Sequence, residues 1–128
     1  CFNHLKFHVF SKYTGVKYNI GNIFVNPVSE SSFLESLRTC YGVICNAGFQ
    51  TTSEVMYLGK RLLVIPVEGQ YEQLCNVAAL NSLGISSLNK LNNQSQEKIN
   101  KWLNSIPKKF EFQNNVEDLI KKKINNLM

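Results

Sequence analysis

The sequence lacks the cysteine patterns that mark metal sites and redox pairs. Its four cysteines lie at positions 1, 40, 45 and 75, so none forms a C-x-x-C pair, and no cysteine–histidine cluster has zinc spacing. We expect Cys45 and Cys75, which fall in apolar or helical contexts, to be reduced core residues. Reduced thiols are typical of a cytosolic protein.

Long apolar runs and a leader sequence are missing as well. No stretch of about 18 apolar residues occurs and no signal peptide opens the sequence, so no membrane span is predicted in it. The first residue is cysteine rather than methionine, which indicates a chain that begins inside a longer protein. The length of 128 residues is enough for one domain, 1–128, with residues 95–128 as its C-terminal helices.

The net charge is +5, and much of the excess comes from Lys108–Lys109 and Lys121–Lys123. A solvated helix face is the simplest interpretation of these lysines. The alternative is attraction to a diphosphate ligand or to anionic lipid headgroups, which would hold the protein peripherally at the inner face of a membrane. Basic and aromatic residues do not interleave as they do in nucleic-acid recognition modules, so no nucleic-acid partner is expected.

Apolar strand patterns alternate with helical patterns along the chain. Strands are predicted at residues 5–10, 22–26, 41–45 and 62–65 and near 85, and helices at 32–37, 51–58 and 71–83. Ser32 and Glu35 have the spacing of a capping box, and Gly59 and Gly84 close two of the helices. Continuous apolar strands between helices predict an α/β fold, with a parallel sheet and helices on both faces.

Two further apolar stripes occupy the last third of the chain. The first consists of Ile99, Trp102, Leu103 and Ile106, and the second of Val116, Leu119, Ile120, Ile124 and Leu127. Their helical spacing predicts core packing, with Trp102 as an anchor rather than a ligand platform. His4 and His8 share a face of the first strand without an Asp or Cys partner nearby, so we expect structural roles for both.

Ligands of parallel α/β sheets bind beyond the carboxyl ends of the strands. We therefore expect the binding site among the loops 26–30, 46–50 and 66–70. In the second loop, Ala47 and Gly48 allow a sharp turn and a close approach of the backbone. Residues 50–53, Gln-Thr-Thr-Ser, would then offer hydroxyls and free N–H groups to an anion such as phosphate. The alternative is that Thr51 or Thr52 only caps the helix.

Carboxylate and amide side chains also follow the strands predicted at residues 41–45 and 62–65. Glu54 is either an ordinary acid in the first turn of its helix or an acceptor for the two hydroxyls of a ribose. Glu72, Gln73 and Asn76 lie within about one helical turn, so they can share a face and orient the hydroxyls of a sugar. A polar, solvated first turn is the alternative for these three residues.

The segment 43–84 combines AGFQTTSE, LGK, an apolar strand ending in IP, EQ-x-x-N and a closing LG. Together these motifs resemble the C-terminal domain of GT-B glycosyltransferases, and the similarity extends over residues 22–85. The nearest family includes the transferase that adds N-acetylglucosamine to the lipid precursor of peptidoglycan, with related family 28-type bacterial transferases. The resemblance implies one Rossmann-like half of a GT-B fold, truncated at its N-terminal end, that binds a nucleotide-sugar donor.

The resemblance also implies site residues. Contacts with the diphosphate and ribose are expected from Asn46, Ala47, Gly48, Thr51, Thr52, Ser53 and Glu54. Contacts with the donor sugar are expected from Glu72, Gln73 and Asn76, and contacts with the nucleobase from the loop containing Pro27 and Val28. Glu72 stands where the family has a first glutamine, which leaves the sugar open. The family's opening strand with its Gly-rich turn and its N-terminal acceptor domain are not in this sequence.

The resemblance therefore implies a cytoplasmic hexosyltransferase that uses a UDP-linked or similar donor and no cofactor. No D-x-D metal motif occurs, so no metal is expected. The acceptor-binding part would be an N-terminal domain or a partner subunit, and this piece alone would be inactive. Three alternatives remain: a UDP-sugar 2-epimerase of the same fold, a non-catalytic donor-binding subunit of a two-chain transferase, and a flavodoxin-like interaction domain that binds no nucleotide.

Overall fold

The computed structural model describes residues 2–107, 121–122 and 125–126, and it is an α/β structure with parallel strand pairing, as predicted. The elements in chain order are β1 (Phe7–Ser11), β2 (Tyr18–Ile20), β3 (Ile23–Pro27), α1 (Glu30–Thr39), β4 (Gly42–Cys45), α2 (Phe49–Tyr57), β5 (Arg61–Val64), α3 (Tyr71–Ser82), β6 (Ser86–Ser87), a 3₁₀ turn (Asn93–Ser95) and α4 (Gln96–Leu103). The chain divides into two compact units, Cys1–Thr39 and Cys40–Met128.

The first unit contains a three-stranded sheet in the order β1-β3-β2. Strand β1 is parallel to β3, with Phe7 opposite Ile23 and Ser11 opposite Pro27, whereas β2 is antiparallel to β3. The strand prediction missed β2. Its signal was the two-residue turn Gly21–Asn22 that joins it to β3, because glycine followed by asparagine is typical of tight hairpins.

Helix α1 begins earlier than its predicted capping box. The N–H of Phe33 donates to the carbonyl of Ser29 at 2.9 Å, so the first helical hydrogen bond forms ahead of Ser32. The Ser32 hydroxyl donates to the same carbonyl at 3.3 Å. The capping-box prediction is therefore wrong, because Ser32 already lies inside the helix.

The second unit contains a parallel sheet in the order β4-β5-β6. Gly42 is opposite Arg61, and Leu63 is opposite Ser86. The central strand β5 buries Leu62, Leu63 and Val64, as its apolar run predicts. Strand β4 is less buried than expected, with Ile44 38% exposed, because β4 is an edge strand of this sheet.

Helices α2, α3 and α4 complete the core of the second unit. Buried side chains from them include Val55, Met56, Ala79, Leu80, Ile99 and Trp102. The positive φ angles of Gly59 (68°) and Gly84 (85°) confirm the two predicted helix ends. The prediction for Ile106 is wrong: it is 87% exposed, because α4 ends at Leu103 and the chain leaves the helical face. The stripe from Val116 to Leu127 and the pair Lys108–Lys109 lie outside the described residues.

The end of α4 is attached to the sheet by two long side chains. The Tyr41 hydroxyl donates to the carbonyl of Leu103 at 2.5 Å, and Arg61 Nε donates to the carbonyl of Ser105 at 2.8 Å. The Arg61 guanidinium also lies 3.9 Å from the centroid of the Tyr41 ring, a cation–π geometry. The first bond satisfies the carbonyl of Leu103, the last residue of α4, which has no partner inside the helix, and the second holds the carbonyl of Ser105 just beyond the helix end.

Among the described parts of the chain, no helix has the length and apolar character that a membrane crossing requires.

Candidate functional site

Two loops meet at the carboxyl edge of the parallel sheet β4-β5-β6. The loop 46–48 follows β4, the loop 65–70 follows β5, and the N–H of Ile65 donates to the carbonyl of Cys45 at 2.9 Å. Gln73, in the first turn of α3, joins the loops directly. Its Oε1 accepts hydrogen bonds from the N–H of Ala47 at 3.2 Å and of Val67 at 2.8 Å. The amino ends of α2 and α3 are therefore neighbours.

Asn76 adds a third connection between α3 and the first loop. Its Nδ2 donates to the carbonyl of Ala47 at 2.6 Å. The residue is 2% exposed, and its Oδ1 has no hydrogen-bond partner among the described residues. A buried carbonyl oxygen without a partner is unusual in a folded protein, and this one is enclosed by the protein rather than open to solvent.

The amino end of α2 has no side-chain cap. Gly48 is the N-cap residue in an extended conformation, and its N–H donates to Asn46 Oδ1 at 3.0 Å. The helix begins at Phe49, two residues before the predicted start, because Gly48 completes the turn that Ala47 begins. The N–H groups of its first turn have no acceptor inside the helix, and the helix dipole adds positive potential there.

The earlier helix start changes the roles of the predicted hydroxyl residues. Thr52 and Ser53 lie inside α2, where Thr52 Oγ1 donates to the carbonyl of Gly48 at 2.6 Å and Ser53 Oγ to that of Phe49 at 2.5 Å. The alternative that Thr51 or Thr52 caps the helix is wrong, because the N-cap position belongs to Gly48. Thr51 lies in the first turn, where it is half-buried.

Glu54 lies in the second turn of α2, and the first turn contains no acidic residue. Its interpretation as a first-turn acid is therefore wrong. The side chain is half-buried, so the carboxylate is not enclosed in the core. Glu54 therefore remains accessible as the acceptor that the predicted ribose contact requires.

The three predicted sugar-contacting residues do not share one face of α3. Gln73 and Asn76 are buried at 9% and 2% exposure, whereas Glu72 is exposed. Their spacing within one turn is compatible with this split because adjacent residues point about 100° apart around a helix. Glu72 and Asn76 still line a common pocket of about 280 Å³, together with Phe49, Tyr71, Cys75 and Lys121.

The remaining predicted residues belong to the first unit. Val28 is 63% exposed in the loop between β3 and α1. The His8 ring stacks on Phe24 of the neighbouring strand with centroids 5.4 Å apart, a structural contact. Among the described residues, no group of three or more His, Cys, Asp or Glu side chains could hold a metal ion.

Burial raises the pKa of the Cys45 thiol from 9.0 to about 12. Because the folded pKa lies above the unfolded one, the stabilisation is complete below pH 9 and is lost as the pH rises toward 12. Across this pH range, deprotonation of Cys45 should lower the free energy of unfolding by up to about 1.4 kcal/mol per pH unit. The Cys45→Ala variant should lack this contribution, so its stability should fall less steeply with pH. Urea unfolding of both proteins at several pH values measures the slopes, and parallel slopes would contradict the assignment.

The sequence matches a known protein family. The model for glycosyl transferase family 1 matches residues 5–107, which include both loops and all of α1, α2 and α3. No curated protein matches the chain.

Proposed function

Because the chain belongs to glycosyl transferase family 1, we propose that it supplies the donor-binding part of an enzyme that transfers a sugar from a nucleoside diphosphate. The observation that carries the proposal is the pair of hydrogen bonds at Gln73 Oε1, which hold the loops after β4 and β5 together. A nucleotide sugar is an extended ligand with a charged centre, so it needs two adjacent binding loops. This edge of the sheet has both.

The amino end of α2 is the proposed diphosphate subsite. Gly48 allows the ligand to approach the backbone closely. The free N–H groups of the first turn interact favourably with negative charge. The same groups would stabilise the charge that develops on the leaving diphosphate during transfer. In this proposal Asn46 and Ala47 shape the loop, Thr51 offers a hydroxyl, and the internal bonds of Thr52 and Ser53 hold the turn.

The sugars of the donor would flank the diphosphate. The Glu54 carboxylate, one turn further along α2, can accept hydrogen bonds from both ribose hydroxyls. On the other side, Glu72 and Asn76 line the pocket of about 280 Å³, where the exposed Glu72 side chain can accept hydrogen bonds from sugar hydroxyls. Gln73 contributes indirectly, because its Oε1 already accepts two backbone N–H groups.

The finer parts of the proposal extend the family resemblance. We propose a UDP-linked hexose donor, no cofactor, a cytoplasmic setting at the inner face of a membrane, and a Val28 loop that contacts the base. The acceptor would bind to an N-terminal domain, as the resemblance to the transferase of the peptidoglycan precursor implies, or alternatively to a partner subunit. Calorimetry of the full-length protein with UDP and GDP tests the donor, and binding of neither nucleotide would overturn the proposal.

Gly48→Ala tests the diphosphate subsite. A methyl group at this position lies 3.1 Å from Asn46 Oδ1, a flexible side chain, and the φ of −77° is allowed for alanine. We therefore expect the variant to fold and to bind UDP at least about tenfold more weakly, because the ligand loses its close approach to the backbone. Gly15→Ala, whose added methyl group meets nothing within 4 Å, is the matched control. If the Kd for UDP is unchanged in Gly48→Ala, the diphosphate does not bind at the amino end of α2.

A further inference from the structure

The sheet of the first unit has a row of exposed apolar side chains on one face. Tyr18 is opposite Val25 and Ile20 is opposite Ile23, and Val9 of β1 lies opposite Val25 from the other side. Paired residues, and residues two positions apart on a strand, point to the same face of a sheet. The exposed members of this row are Val9, Tyr18, Ile20 and Ile23. Single exposed apolar residues are ordinary, whereas four on one face indicate an interaction surface.

The loop that leads into β2 adds two more apolar side chains, Tyr13 at 89% and Val16 at 69% exposure. The Thr14 hydroxyl donates to the carbonyl of Val16 at 2.8 Å and accepts from the N–H of Val16 at 3.4 Å. The N–H of Tyr13 donates to Ser11 Oγ at 3.1 Å. Backbone groups that are already paired lose less on leaving water, so this loop can carry its apolar side chains into a less polar environment.

The chain around these side chains carries only positive charge. Residues 1–29 contain Lys6, Lys12 and Lys17 and no aspartate or glutamate. All three lysines are exposed. The Lys12 ammonium group lies 5.3 Å from the centroid of the Tyr13 ring, so the charge and the apolar surface are adjacent. A partner that covers this part of the first unit must therefore accept apolar side chains beside cations.

We propose that the β1–β2 surface, defined as residues 12–20 with Val9 and Ile23, binds the protein reversibly to an anionic membrane surface. The lysines attract anionic headgroups while their stems lie along the apolar part, and the tyrosines lie at headgroup level with their hydroxyls in water. Lipid fits better than a protein partner because lysine is depleted at protein–protein interfaces. The inference gives a contact surface to the membrane setting in the proposed function, but it stands on these residues alone and needs no nucleotide donor.

Vesicle binding tests the proposal directly. The full-length protein is sedimented with vesicles of phosphatidylcholine alone and with vesicles of an equal mixture of phosphatidylcholine and phosphatidylglycerol. We expect binding to the mixed vesicles to be at least about tenfold tighter, and to weaken as the salt concentration rises. Equal binding to the two compositions, or binding to neither, overturns the proposal whether or not the protein binds UDP.

Two double variants locate the surface. Tyr13→Ser with Val16→Ser removes apolar area, and Lys12→Gln with Lys17→Gln removes charge. Each pair should lower the affinity for mixed vesicles at least about tenfold. All four side chains are exposed or lie on the loop surface, so the urea unfolding curve should be unchanged, which verifies that the variants fold.

Matched controls lie in the second unit. Tyr57→Ser removes a tyrosine that is 63% exposed on α2, and Lys121→Gln with Lys122→Gln removes the same charge from two other exposed lysines. Both controls should bind mixed vesicles as the unchanged protein does. A loss in either control as large as that in its partner variant overturns the assignment to the first unit.

Fluorescence gives a second measurement that does not depend on loss of binding. Tyr13→Trp should show emission at shorter wavelength when mixed vesicles are added, because the indole leaves water, whereas Tyr57→Trp should show no shift. Equal shifts in the two variants overturn the proposal. It is also overturned, in favour of a second copy of the chain, if the protein binds no vesicles but self-associates and becomes monomeric in Tyr13→Ser with Val16→Ser.

Discussion

Gly42→Val is expected to destabilise the protein by about 3 kcal/mol, although valine is a better strand residue than glycine. A Cβ atom at this position would lie 2.9 Å from Cη2 and 3.0 Å from Cζ2 of Trp102, and 3.0 Å from Cβ of Arg61. Trp102 is 6% exposed and cannot move without opening the core. The clash would push α4 from the sheet, which urea unfolding measures.

The fluorescence of Trp102 gives an independent signal, because it is the only tryptophan in the chain. We expect its emission to shift to longer wavelength in Gly42→Val as water reaches the ring. In a Trp102→Phe background, which lacks the clashing atoms, the same substitution should cost at least about 1 kcal/mol less. Equal costs in both backgrounds would show that the clash with Trp102 is not the cause.

Gln73→Leu should reduce the free energy of unfolding by about 2–3 kcal/mol, because it leaves the N–H groups of Ala47 and Val67 without their acceptor. The loops after β4 and β5 would then lose their connection. We therefore also expect the affinity for UDP to fall in this variant, although the Gln73 Oε1 atom itself is not a proposed ligand contact. Urea unfolding and calorimetry on the same preparation measure the two effects.

Two variants control this result. Gln73→Glu keeps an acceptor oxygen in the first turn of α3, where the helix dipole favours a negative charge, and should retain most of the stability. Gln70→Ala removes an exposed side chain that makes no capping hydrogen bond, and should be neutral. If Gln70→Ala lowers the free energy of unfolding as much as Gln73→Leu does, the two hydrogen bonds at Gln73 Oε1 make no specific contribution to stability.

The predictions from the sequence succeeded where the signal is local. The apolar run of β5 and the glycines that close α2 and α3 have one structural meaning wherever they occur, because burial and left-handed turns restrict residue types strongly. The turn at Ala47 and Gly48 was also predictable from the sequence, because small residues allow such a sharp turn. The start of α2 was not, because the choice between Gly48, Thr51 and Thr52 as N-cap depends on where the strand before it ends.

By itself, the sequence determined the α/β class, the parallel strands, most helix ends and the loops that gather at one edge of the sheet. Only the tertiary structure decided that Gln73 and Asn76 are buried connectors, that Thr52 and Ser53 bond back into their own helix, and that Ile106 leaves the core. The physical reason is that an amide or a hydroxyl has several equivalent partners. Which of these it takes depends on backbone groups brought close by folding, such as those of Ala47 and Val67, which are distant or unremarkable in the sequence.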